Sequence, residues 1–167
     1  MNKKLSFFRY FSYSLLIILL LILQSTPKLF PEIFGSKPLL LVAFSLCIAS
    51  KEEKIPSLIF GAVCGMFTDI ATGGNIGFFA ILLTLICYAE AHIFSIYFKP
   101  SIVSVLLVEI TTIPILILLY FFIFTVFAGV SDCWMYFVNH YISRIIYTFL
   151  MVIPVYFAHG FLYKNLK

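Results

Sequence analysis

Long apolar runs separated by short polar breaks dominate the chain. Six runs occur, at residues 10–24, 38–50, 56–71, 77–98, 102–128 and 134–163. Each predicts a helix of membrane-spanning type, which takes about 20 apolar residues. The second run is the shortest. Pro38–Ser50 is 13 residues, or about 20 Å at 1.5 Å per residue, against a hydrocarbon core of about 30 Å. It predicts a span that thins the bilayer, starts earlier or is re-entrant. The breaks carry turn chemistry. Pro27, Pro31, Gly35 and Pro38 predict a loop over 28–37, with Phe30 and Phe34 lying in the interface. Lys51-Glu52-Glu53-Lys54 reads as an aqueous loop, and Pro56 suits the first turn of the next helix. Thr72-Gly73-Gly74-Asn75 and Gly129–Cys133, the latter with Asp132, read as turns.

Composition sharpens this pattern. Hydrophobic residues make up 63% of the 167, charged residues 11%, and the mean hydropathy is +1.12. Soluble domains average about 45–50% apolar and about 25% charged. A soluble enzyme is excluded, and a polytopic membrane protein is expected. Six spans consume about 120 residues and leave roughly 47 for termini and loops. The whole of 1–167 therefore reads as one integral membrane domain: an all-α, compact bundle of six transmembrane helices. Lys3, Lys4 and Arg9 precede the first run, but no small-x-small cleavage site follows it. That run is expected to stay as the first span.

Charge sets the orientation. With the N-terminus inside, the inner segments hold Lys3, Lys4, Arg9, Lys51, Lys54, Lys99, Lys164 and Lys167. The outer loops hold only Lys28 and Lys37. This bias predicts both termini in the cytoplasm. Tyr10, Trp134, Tyr136 and Tyr163 near span ends fit an aromatic belt. The inner lysines suit anionic membrane lipids. No basic face suggests nucleic acid.

Few residues violate the apolar rule. Ser57, Gly61, Gly65 and Asp69 recur in steps of four and share a helical face. Small residues there let another backbone approach, either within the molecule or from a partner. Asp69 precedes the Gly73 to Gly77 turn. It could hold the backbone N–H groups that start the fourth helix, pair with Arg144 at matching depth in the sixth span, or mark an interaction or substrate site. Glu90 and Glu109 sit at similar depth on consecutive helices, where two carboxylates could share a proton or bind a cation. Asp69, Arg144, Glu90 and Glu109 are thus the candidate intramembrane polar network. His140 and His159 read as interfacial or packing residues. Cys47, Cys64 and Cys87 read as apolar filler, without C-x-x-C or metal spacing. No H-E-x-x-H, G-x-S-x-G or P-loop appears. No catalytic site, metal or cofactor is expected.

One combination of motifs resembles a known family. Leu23-Gln24-Ser25 closes the first span, and Lys37-Pro38-Leu39-Leu40-Leu41-Val42 opens the second. Gly61-x3-Gly65-x3-Asp69-Ile70 follows the charged loop, then Gly73-Gly74-Asn75-Ile76-Gly77. Over about residues 23–90 this resembles the MreD family of rod shape-determining membrane proteins. Beyond, the likeness is architectural. The resemblance implies a non-enzymatic subunit of the bacterial cell-wall elongation complex in the inner membrane. It implies MreC, MreB and the peptidoglycan polymerase–transpeptidase pair as partners, and no small-molecule ligand. By resemblance, Gly61, Gly65 and Asp69 carry the family's motif. The fold also resembles substrate-binding subunits of energy-coupling-factor vitamin and metal importers. Such a subunit is the alternative function, with Asp69, Arg144 and the outer loops lining a pocket.

Overall fold

A computed structural model describes residues 3–26, 36–73, 77–127 and 133–165. Its helices are α1 (Lys3–Ser25), α2 (Leu40–Ala49), α3 (Lys54–Thr72), α4 (Phe78–Ile96) and α5 (Ile102–Phe121). α5 runs on into a π-helical segment, π1 (Phe122–Val126). The last helix is continuous but changes pitch, from α6 (Cys133–Tyr136) through π2 (Phe137–Ile142) to α7 (Ser143–Asn165). No strand forms among the described residues. The molecule is an all-α membrane bundle. Five helices are long and apolar enough to cross a membrane, and Leu40–Ala49 is the short one. The predicted interfacial placement of Phe30 and Phe34, and the Gly129–Cys133 turn with Asp132, fall outside the described residues or their side chains.

The outward faces explain the composition. Leu15, Ile18 and Ile22 of α1, Ile59, Met66 and Ile70 of α3, and Ile81 and Leu85 of α4 are all exposed. In water such a surface would aggregate; against lipid tails it needs no cover.

The short helix α2 is the core of the bundle. All ten of its residues are buried. It packs against α1, α3, α4 and α7. This explains why its sequence shows no helical periodicity: a helix enclosed on every side is apolar all round. Leu41 meets Gln24, and Glu52, just past α2, meets Arg9. Those two partners lie fifteen residues apart on α1, about 22 Å. The chain from Leu41 to Glu52 therefore runs beside that length of α1. The helix starts at Leu40 rather than at Pro38. Non-helical backbone at that depth is tolerable because protein surrounds it.

That start lacks a cap of its own; Leu39 at the N-cap position makes no side-chain bond. Neighbouring helices supply the acceptors. Leu39 N–H donates to Thr148 Oγ1 of α7 at 3.1 Å, and Leu41 N–H to Gln24 Oε1 of α1 at 3.2 Å. Removing either acceptor leaves a buried N–H unsatisfied, which costs about 1–3 kcal/mol. Gln24→Leu and Thr148→Val are each expected to lower the unfolding temperature of the purified protein in detergent. A surface change such as Ile18→Leu should leave it unchanged.

At the end of the bundle that carries the α3–α4 turn, the two π segments face each other. Thr125 and Tyr141 hydroxyls hydrogen-bond at 3.0 Å, and Phe121, Phe137 and Tyr141 pack ring on ring.

Candidate functional site

Among the described residues the α3–α4 hairpin has the most extensive helix contact. Its basis is the small-residue face. Ser57, Gly61, Gly65 and Asp69 are all buried. A Cβ on Gly61 would lie 2.7 Å from the Leu83 carbonyl oxygen and 3.0 Å from Cys87 Sγ. A Cβ on Gly65 would fall against the Phe79 carbonyl oxygen and 2.5 Å from Ala80 Cα. The helix backbones touch there, which only glycine permits. Of the two readings of this face, within the molecule or against a partner, the contact formed here is the internal one, on α4. Ser57 turns its hydroxyl back to the Glu53 carbonyl at 2.8 Å.

Asp69 locks the far end of this hairpin. One carboxylate oxygen, Oδ2, accepts from the Gly77 N–H at 2.9 Å and the Ala80 N–H at 3.2 Å. The other, Oδ1, accepts from the Phe79 N–H at 3.0 Å. These are donors that a helix start leaves unsatisfied, and the helix dipole favours an anion among them. Gly73 (φ 62°) ends α3 and Gly77 (φ 105°) starts α4, both in the left-handed region. That backbone brings α4's first turn onto the Asp69 carboxylate.

The pairing of Asp69 with Arg144 is not formed. The three partners of Asp69 are backbone amides, and Arg144 Nε is buried with no hydrogen-bond partner. Nor do the four charged residues make one network. Glu90 lies ten residues beyond Ala80 on α4, about 15 Å away. It and Glu109 are buried in the opposite half of the bundle.

That opposite end, at the α2–α3 turn, holds a polar cluster that pattern reading missed. Glu52, expected in water, is 8% exposed. It accepts from Arg9 Nη2 at 3.0 Å, with Arg9 Nε at 2.9 Å, and from the Tyr13 hydroxyl at 3.0 Å. Arg9 also lies over the Tyr10 and Tyr163 rings. His159 is fully buried against Tyr13 and Phe44, and neither ring nitrogen has a hydrogen-bond partner. Lys51 places its ammonium 4.0 Å from the Tyr156 ring centre, close above Gly160. The cluster ties α1, the α2–α3 turn and α7 together. The available hint was Arg9 itself, a cation set among Phe7, Phe8, Tyr10 and Phe11. Nothing in Lys51–Lys54 distinguishes the buried Glu52 from the exposed Glu53.

Burial pushes the Glu52 carboxyl above its ordinary 4.5, and Arg9 and Tyr13 pull it back only in part. A carboxyl raised on folding binds its proton more tightly when folded. Its stabilising contribution is full below the ordinary value and is lost as pH rises through the raised one. Desolvation therefore outweighs the pair at neutral pH, as is common for buried ion pairs. Arg9→Leu, which strands the carboxylate, is expected to cost about 3–5 kcal/mol. Arg9→Leu with Glu52→Leu should recover most of that loss in detergent melts. A double variant as weak as Arg9→Leu alone would contradict this account of the cluster.

Comparison with known proteins now bears on these residues. The family model described as rod shape-determining protein MreD matches residues 2–163. The chain belongs to the MreD family. No curated protein and no solved structure matches it. The match includes both ends of the bundle, so the likeness extends past residues 23–90. The MreD-like motifs now have physical roles here. Gln24 supports the start of α2, Gly61 and Gly65 seat α4, and Asp69 holds the first turn of α4. This is a rod shape-determining, multi-pass membrane protein.

Proposed function

We propose that the chain is a non-enzymatic subunit of the bacterial cell-wall elongation complex. In this reading it links MreC and MreB with the peptidoglycan polymerase–transpeptidase pair. The observation that carries the reading is the family match over nearly the whole chain. The bundle's physical character supports it. The connections leave no room for a folded domain outside the bilayer, so partners would be met through helix faces and loop tips. With Gly61 and Gly65 turned onto α4, the faces left for a partner are the exposed apolar ones, such as Phe11, Leu15, Ile18 and Ile22 on α1.

The same reading places the protein in the inner membrane with both termini in the cytoplasm. Arg9, Lys51, Lys54, Lys99 and Lys164 belong to the end of the bundle with the α2–α3 turn, where the positive-inside rule expects them. Reporter fusions at each terminus are expected to be active only in their cytoplasmic form. A periplasmic signal at either end would reverse the orientation.

Deletion in the native host tests the function. Cells are expected to round up, and a tagged copy restoring rods should bring MreC down in mild detergent. Rods that persist after deletion, or a restoring copy that never brings MreC down, would contradict the proposal. A vitamin or metal ion that co-purifies and raises thermal stability would favour the importer reading.

A further inference from the structure

Glu90 and Glu109 take part in neither the hairpin lock nor the Arg9 cluster. Glu90 on α4 is 3% exposed and Glu109 on α5 is 1% exposed. Neither oxygen of Glu90 has a hydrogen-bond partner, nor does Oε2 of Glu109. The Cys47 thiol of α2 approaches Glu109 Oε1 at 3.8 Å. The other titratable group beside the pair is Cys87 of α4. Thr112 of α5 also faces Glu90, with its hydroxyl 3.0 Å from the Val108 carbonyl. Tyr88 and His92 of α4 are exposed and turn away. Among the described residues no cation pairs with either carboxylate. Lys51, one turn beyond Cys47, is held on the Tyr156 ring, and Arg9 is held on Glu52.

Two carboxylates in this setting cannot both stay ionised at low cost. Each loses its hydration, a penalty that only a partner offsets. A proton removes that penalty with no further ligand. A metal ion needs more donors, and among the described residues no group of three or more His, Cys, Asp or Glu could hold one. Neither carboxylate lines the open cleft at the α2–α3 end of the bundle. Ala91, next to Glu90, lines that cleft of about 520 Å³, which also touches Ser50, Lys51 and Ser95.

We propose that Glu90 and Glu109 form a proton-binding site within the bundle, on which the folded protein carries at least one proton at neutral pH. The proton comes from water and forms an O–H bond on one carboxyl. The charge of the pair rises by one, and no electron moves.

Infrared spectroscopy of the purified full chain in lipid nanodiscs at pH 7 tests this. A protonated-carboxyl C=O band is expected in the wild type. It should weaken in Glu90→Gln and in Glu109→Gln, and be lost in the double variant. Absence of the band from the wild type overturns the proposal without recourse to any variant. A band that the double variant leaves undiminished belongs to another carboxyl and overturns it too. Loss of the band on adding sodium or potassium at constant pH would make this a monovalent-cation site instead. Should the double variant fail to fold, carbodiimide labelling of the wild type replaces it. Label at Glu90 or Glu109 supports the proposal, and label confined to other carboxyls overturns it.

Discussion

Gly65→Ala is expected to destabilise this protein more than a methyl group added at any other described glycine. The added carbon would fall against the Phe79 carbonyl and 2.5 Å from Ala80 Cα. Both are backbone in the first turn of α4, so no rotamer change relieves the clash. Overpacking typically costs about 1–3 kcal/mol, and neighbours that are all backbone place Gly65→Ala near the top of that range. The other glycines grade below it. At Gly61, two of the three close atoms belong to the Cys87 side chain, leaving the Leu83 carbonyl as the rigid one. At Gly73 there is open space, and only the left-handed backbone opposes alanine, worth about 1–2 kcal/mol. Thermal unfolding in detergent should rank the alanine variants Gly65, Gly61, Gly73 from weakest to strongest. Restoration of rod shape should fail first at Gly65. A Gly65→Ala protein as stable as the wild type would mean that α3 and α4 do not touch there.

Asp69→Ala is expected to cost about 3–5 kcal/mol. The carboxylate accepts three backbone N–H bonds at the start of α4. Bonds to a charged acceptor contribute about 1.5–3 kcal/mol each, and the sum is less than additive. Asp69→Asn keeps one acceptor oxygen but aims an amide donor at other donors, so it should fall between wild type and alanine. Charge exchange gives a sharper contrast. With Asp69→Arg and Arg144→Asp combined, no rescue is expected, because the two residues do not pair. Unfolding temperature and rod restoration both read this out. Rescue by the double exchange would restore the ion-pair reading and displace the backbone lock.

Why some of this was legible and some was not follows from where each residue sits. Five long apolar runs had to be helices, since lipid leaves the backbone no other partner. The glycine spacing was legible because steps of four align on one face. Its target was not, because small-residue spacing says only that something approaches. Asp69 shows the same limit: its depth matched Arg144, but backbone donors eight to eleven residues downstream were closer. α2 was hardest, because full enclosure removes the periodicity that marks a buried face. Gln24 closes the first apolar run and Thr148 lies midway along the last, and neither is marked by its neighbours in sequence. Their role depends on the position of α2's first turn, which no local pattern carries. Glu52 was misplaced for a related reason: a four-residue charge run does not show which member faces inward.

The family's glycine face seats α4 of the same chain. Gly61→Cys in native membranes tests it most directly, because the Cβ position of Gly61 lies 3.0 Å from Cys87 Sγ. Under mild oxidation, an intrachain disulfide from position 61 to Cys87 is expected, identified by mass spectrometry of the digested protein. A disulfide to a second copy or to another membrane protein, in place of the intrachain one, would contradict the claim.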